Sequence, residues 1–359
     1  MSEIKKTYII AEAGVNHNGS VEMAKQLIDV AVESGVDAVK FQTFKTEQVV
    51  TRDAPKADYQ KKTTGNVESQ FEMIKKLELD ENDHLLLVRY CKDKTIQFIS
   101  SPFDFESVDF LVNSCNVPYL KIGSGEITNA PLLLKAAYSG KQIILSTGMS
   151  TLSEVEEALG VLAFGYLKSI AKETPEEFRL AYCSHAGQQV LKEKVVLLHC
   201  TTEYPSAFCD VNLRAMDTMR MAFDLPVGFS DHTPGIAMPI AAAARGAILI
   251  EKHFTLNREL LGPDHRASLE PNELKAMVES IREVELALGT GVKIPVFAEM
   301  GNRRITRKSI VVTKNIKQGE YFTNDNIATK RPGIGVSPMH YWEYLDKIST
   351  REYIKDDLI

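Results

Sequence analysis

The sequence predicts an α/β fold, a (β/α)8 TIM barrel followed by a small second domain, and three observations carry that reading. Eight short apolar runs recur in order: YIIAEAG, AVKFQTF, IQFISSP, YLKIGSGE, QIILSTGM, VVLLHCT, VGFSDHT and ILIEKHF. Stretches of helical periodicity separate them, as the crossovers between parallel strands require. Polar residues close the runs, at the strand ends where a barrel of this kind builds its mouth.

The first crossover shows the local logic. Ser20 is an N-cap for VEMAKQLIDVAVES, in which Val21, Ala24, Leu27, Ile28 and Ala31 share one face, and Gly35 ends the helix. Similar helices are readable near 104–114, 130–139, 152–168, 212–223, 235–245 and 270–288. In the last, Leu274, Met277, Val278, Ile281 and Val284 form a stripe stopped by Gly289. Two connections are irregular: residues 45–70 are polar and weakly periodic and read as a long loop over the mouth, and residues 169–194 read as an insertion of mixed character. Beyond Gly289, glycines, a proline and a burst of Arg and Lys change the pattern, then short strand-like runs alternate with turns. The expected division is a barrel over 1–290, a linker over 291–305 and a second domain over 306–359.

Composition narrows the function classes. With 359 residues, 44% hydrophobic and 25% charged, the chain has the make-up of a globular protein. A net charge of -6 argues against non-specific nucleic-acid binding while leaving room for a local anion site. Five cysteines, odd in number and without a CxxC pair, suit reduced thiols. No apolar run approaches the ~18 residues of a membrane span, so a cytoplasmic location is expected.

The candidate chemistry follows from strand alternation. Residues i and i+2 of a strand share a side, so Ser230 faces with His232, and Glu251 with His253. Two imidazoles on neighbouring strand ends suit a divalent cation with open positions. Zinc and cobalt fit imidazole too; Mn²⁺ or Mg²⁺ is expected if the remaining ligands are oxygens. Lys40 and Lys121 bring two ammonium groups to the same mouth. With the hydroxyls of Ser101, Ser124, Ser146, Thr147 and Ser230 they form a cradle for phosphate or carboxylate. Glu12 and Glu126, also at strand ends, are candidates for ion pairing or for acid–base work. Asp264, in a Gly-Pro turn after the last strand, is placed to reach substrate hydroxyls.

The motifs AEAGVNHNGS, VKFQTF, FISSPFD, YLKIGSGEI, ILSTGMS, LLHCTTEYP, GFSDHT, EKHFT, GPDHRASLEP and KRPGIG together resemble the bacterial sialic acid (nonulosonic acid) synthase family, in order and across nearly the whole chain. The resemblance implies condensation of phosphoenolpyruvate (PEP) with an N-acylated mannose-type sugar by a metal-dependent, carbon–carbon bond-forming transferase. It implies a barrel followed by an antifreeze-like (SAF) domain, usually in a domain-swapped homodimer. By motif, His232 and His253 would be metal ligands, with Lys40, Ser101, Lys121, Ser124, Thr147, Thr202 and Ser230 on PEP. Gln42, Tyr204, Asp264 and Arg331 would hold the sugar, Arg331 reaching it from the partner's small domain. Glu12, Glu126, Lys40 and Lys121 would stand at the reacting centre, with Glu126 the first candidate and Glu12 the second for the base that activates water. Where N-acetylneuraminate synthases often show CTN, this chain has CTTEYP; together with SPMHYW it looks more like the legionaminic acid branch, whose sugar is 2,4-diacetamido-2,4,6-trideoxymannose. Such a sugar calls for a pocket less polar at one end. The alternatives are an N-acetylneuraminate synthase using N-acetylmannosamine, a metal-dependent aldolase on the same barrel, and a non-catalytic carbohydrate-binding protein with an antifreeze-like domain.

Overall fold

Eight parallel strands pair in sequence order and close on themselves in the computed structural model, which describes residues 6–65 and 67–359. They are β1 (Tyr8–Gly14), β2 (Ala38–Thr43), β3 (Gln97–Pro102), β4 (Tyr119–Ile122), β5 (Gln142–Ser146), β6 (Val195–Cys200), β7 (Val227–Asp231) and β8 (Leu249–His253). Closure comes from β1, which pairs with β2 on one side and β8 on the other, so that Glu12 lies opposite both Lys40 and His253.

Alternation along each strand sorts the side chains into two populations. Outward residues such as Ile9, Ala11, Val39, Phe41, Leu120 and Leu145 pack against Leu27, Leu111, Leu132, Leu162 and Met277 of the surrounding helices. Inward residues Ile10, Ala38, Ile99, Ile144, Leu198 and Leu249 form a separate plug in the barrel floor. Burial of each Ile or Leu among them contributes about 1.5–3 kcal/mol. Gly228 belongs to this inner parity for a steric reason: a Cβ there would run into the Leu249 carbonyl and the Leu198 side chain, so β7 reaches β8 only through glycine.

The helices expected from periodicity stand at Val21–Glu33, Phe105–Asn113, Ala130–Tyr138, Leu152–Tyr166, Ala215–Phe223, Ala237–Ala244 and Pro271–Leu288, the first capped by Ser20 Oγ, which accepts from Met23 N. A further helix, Glu81–Asp93, escaped the pattern because its buried positions are His84, Leu87 and Cys91, a stripe in which two members are not plainly apolar. Residues 45–70 are not the loop expected. Short helices run over Thr46–Val49 and Asp58–Thr64, with a third, Gln70–Lys75, capped by Ser69, and the buried Lys56 ties the segment together through Thr64, the Gly65 carbonyl and Glu68. Residues 169–194 resolve into helices Pro175–Cys183 and His185–Lys194, the first edging onto Leu152–Tyr166 through Phe178 and Phe164.

The chain divides into two units, Met1–Gly289 and Thr290–Ile359. The expected linker at 291–305 contains most of a helix, Glu299–Thr306. The smaller unit pairs β9 (Ser309–Val312) antiparallel with β10 (Ile327–Lys330) over a core of Ile310, Val312, Ile316, Phe322, Ile327 and Tyr353. Among the described residues no helix is long and apolar enough to cross a membrane.

Candidate active site

Above the apolar plug, the next inward position on every strand is a residue with chemistry: Glu12, Lys40, Ser101, Lys121, Ser146, Cys200, Ser230 and Glu251, in strand order. All eight line one cavity of about 280 Å³. One step nearer the mouth, Gln42, Thr202, His232 and His253 continue the same parity around the rim, with Ser124, Tyr204 and Asp264 from the loops. The functional layer is thus the period of a β-strand read at the carboxyl end of a barrel.

Charges are taken out of water here only in company. Lys40 pairs with Glu12, lies 3.6 Å from Glu251 and donates to Ser101 Oγ at 3.1 Å. Lys121 lies 3.4 Å from Glu251, which also accepts from Ser230 Oγ at 2.9 Å. Burial opposes ionisation of Glu251, yet the Lys121 and Lys40 ammoniums and the Ser230 hydroxyl outweigh it and hold the carboxyl down at about 2. Glu12, sharing Lys40 with Glu251, is pushed up by burial to about 7 despite that ammonium. Burial would also discharge both lysines. Glu12 and Glu251 overcome this at Lys40, whose pKa is raised, whereas Lys121 is lowered by its desolvation. With Glu12 partly protonated near neutrality, the cluster carries surplus positive charge, and Ser146 Oγ and Thr202 Oγ are buried without a partner. An anion supplies both needs.

A second corner of the cradle is set by close approach. The Gly148 N–H donates to Ser124 Oγ at 2.9 Å, Ser124 Oγ sits 3.0 Å from Cys200 Sγ, and a Cβ on Gly148 would press into Thr202, Ser124 and Cys200.

His232 and His253 lie with ring centroids 5.4 Å apart, and Tyr204 packs against both at 4.1 and 5.6 Å. Burial lowers His232 to about 4 and His253 well below the usual imidazole range, so both are neutral at pH 7. His232 Nδ1 faces the Thr201 carbonyl oxygen at 2.6 Å, which assigns its proton there and leaves the Nε2 lone pair free. His253 Nδ1 is buried without a partner. Among the described residues no three His, Cys, Asp or Glu side chains group to hold a metal ion. The pair nevertheless fits a divalent cation whose other positions are filled by water or substrate oxygens.

Two expected residues fall elsewhere. Thr147 is one residue out of parity: its hydroxyl donates to the Leu198 carbonyl at 2.9 Å, and Ser146 takes its place on the cavity wall. Glu126, in the short helix Ser124–Glu126, accepts from Asn129 Nδ2 at 2.7 Å and does not line the cavity, whereas Glu12 does. Glu251, expected only to share a face with His253, and Cys200, Tyr59 and Gln60, to which the strand pattern assigns no role, also line the cavity. Counting back two from His253 and from Thr202 finds the first two; nothing local marks the others, because a fold-back of the chain brings them in. Gln42, Tyr204 and Asp264 do line the cavity, Asp264 with its carboxyl raised to about 6 by burial. Arg331 lies in the smaller unit, exposed, in the turn before Pro332.

A model described as NeuB family matches residues 27–293. An N,N'-diacetyllegionaminic acid synthase of Campylobacter jejuni subsp. jejuni serotype O:2 is 50% identical over 356 residues, 99% of each chain. Another of the same name, from Legionella pneumophila subsp. pneumophila, is 44% identical over 331 residues, 92% of this chain and 87% of its own. Among solved structures, the N-acetylneuraminic acid (sialic acid) synthetase of Leptospira borgpetersenii serovar Hardjo-bovis aligns with a TM-score of 0.67 at 32% identity, covering 83% of this chain and 90% of that one.

The cradle's geometry makes its own demand. Inorganic phosphate at millimolar concentration should raise the Tm of the protein, and Gly148→Ala should weaken that binding about tenfold or more, equivalent to about 1.4 kcal/mol. A Tm indifferent to phosphate, or equal phosphate affinity in wild type and Gly148→Ala by calorimetry, would contradict the anion assignment.

Proposed function

The chain belongs to the NeuB family, and from that premise we propose that it condenses PEP with an N-acylated mannose-type sugar and water to a nonulosonic acid and phosphate. We take the sugar to be 2,4-diacetamido-2,4,6-trideoxymannose and the product N,N'-diacetyllegionaminic acid. The observation that carries this reading is the near full-length likeness to two synthases of that name. The chain's own anion cradle and imidazole pair, facing one cavity, supply the parts such a reaction needs.

Lys40, Lys121, Ser101, Ser124, Ser146, Thr202 and Ser230 hold the carboxylate and phosphate of PEP, Ser146 standing where Thr147 was expected. Gln42, Tyr204 and Asp264 orient the sugar so that its C1 aldehyde meets C3 of PEP. A divalent cation held by His232 and His253, Mn²⁺ or Mg²⁺, would supply Lewis-acid polarisation of that aldehyde. As the C3–C1 bond forms, the former C2 of PEP becomes electron-poor and takes up water. Glu12, on the cavity wall beside Lys40, accepts the proton that water loses. Cleavage of the C2–O bond then releases phosphate into the lysine and hydroxyl cradle, which disperses its charge.

The choice of sugar is supported by one wall of the cavity. Val15, Phe44 and Leu77 form a small apolar cluster joined by Val49, Ile74 and Phe103, and all six line the pocket, together with Val50 and Met73. A methyl group loses nothing against that wall, whereas a 6-hydroxyl would be stripped of water without a partner. We further read the smaller unit as an antifreeze-like domain that delivers Arg331 to the barrel of a second copy.

Three outcomes are expected. Phosphate release from PEP should depend on sugar and divalent ion, with kcat/KM for the diacetamido trideoxy sugar above that for N-acetylmannosamine, and Ile74→Asn should narrow the gap; a preference for N-acetylmannosamine overturns the substrate choice alone. Glu12→Gln should lose about 10²- to 10⁴-fold in kcat while Glu126→Gln stays within a few-fold, and the reverse order would return the base role to Glu126. Light scattering should find a dimer, and mixing Arg331→Ala with Glu12→Gln protein should regenerate activity in hybrid dimers; full activity in a monomer would defeat the shared site.

A further inference from the structure

Behind the two imidazoles, on the outer face of β7 and β8, lies an ion pair that touches neither the cavity nor any substrate. Asp231 and Lys252 have the opposite parity to Ser230, His232, Glu251 and His253, and both side chains are wholly buried. Lys252 Nζ pairs with the Asp231 carboxylate and donates to the carbonyl oxygen of Thr233. Asp231 in turn accepts from the Thr233 N–H at 3.0 Å and from its hydroxyl at 3.1 Å. The single ammonium therefore grips both chain neighbours of His232, and it belongs to the residue immediately before His253.

That placement matters because of where strand pairing stops. Asp231 opposite Lys252 is the last registered pair between β7 and β8. His232 sits one residue beyond β7, its ring hydrogen-bonded to the Thr201 carbonyl and packed on Tyr204, and its carbonyl accepting from Ser206 N at 2.9 Å. Nothing in the ladder itself sets the distance from the His232 ring to the His253 ring. A buried ion pair is in general no better for stability than an apolar pair of similar volume. Stability alone is thus a weak reason for one at this position.

We propose that the Asp231–Lys252 pair is a positioning device: it fixes the backbone on either side of His232 against the backbone of His253, holding the two rings at the separation that binds a divalent cation. The inference rests on the reading of these histidines as cation ligands. Neither Asp231 nor Lys252 is itself a ligand or a catalytic residue.

The test is Mn²⁺ binding to the purified full-length protein, read from the electron paramagnetic resonance signal of free Mn²⁺, with Tm measured in EDTA alongside. Two variants are used: Asp231→Asn combined with Lys252→Met, which leaves no lone buried charge, and the isosteric Asp231→Asn alone, which serves if the double variant does not fold. Loss of a group that orients a metal ligand typically weakens affinity about 10- to 100-fold, and a change of that size in Kd is expected, with phosphate still raising Tm because the cradle is intact. Mn²⁺ affinity within threefold of wild type in a folded variant overturns the proposal while leaving the ligands in place. A wild-type protein that binds no Mn²⁺ overturns the ligand reading and the proposal together.

Discussion

Ammonium and carboxylate groups leave water only at great cost when alone, and this barrel removes four of them side by side. Lys40, Lys121, Glu12 and Glu251 are all nearly inaccessible, and no one of them would be tolerable without the others. Glu251 stands between the two lysines, which hold its carboxyl down; Glu12 shares Lys40 and is pushed up by burial. The cluster is balanced closely enough to fold and is positive enough to want an anion. A small, multiply charged anion completes the set.

The rest of the site is arranged around that cluster by strand parity. Imidazoles enter one layer above it, at the ends of β7 and β8, the second of which closes the barrel against β1. Their neutrality follows from burial, and the 45–70 segment contributes Val49, Val50, Tyr59, Gln60 and Gln70 to the wall of the same cavity. Tyr59 of that segment packs on Tyr204 at 5.0 Å, and Tyr204 packs on His232, so the segment and the imidazole pair are joined by one run of ring contacts. Apolar residues inside that segment and on either side of it, Phe44, Val49, Val50, Met73 and Ile74, line another wall of the same cavity.

Much of this was legible in the chain. The eight runs align with the eight strands because each carries apolar residues on both faces, as a barrel strand buried between core and helices must. The histidine pair and the two lysines were visible because such residues at strand ends have few structural reasons to be there. The misses have physical causes. Thr147 and Ser146 are adjacent hydroxyls, and a one-residue uncertainty about where β5 ends exchanges inside for outside. Glu126 follows a strand by four residues, far enough for a turn to carry it off the wall. Glu251 was seen to face with His253, yet its role depends on Lys40 and Lys121, which come from strands remote in sequence.

What the sequence by itself determined is the set of local periods: which segments become strands, which faces they bury, and therefore which residues can point into a barrel at all. Short-range sterics and hydrophobic patterning are enough for that. Only the tertiary structure decided which charges neutralise one another, which hydroxyls are left without partners, and how far apart two imidazoles stand. Those quantities depend on the closure of β1 onto β8 and on register between strands, which are long-range geometry and leave no mark on any single stretch of chain.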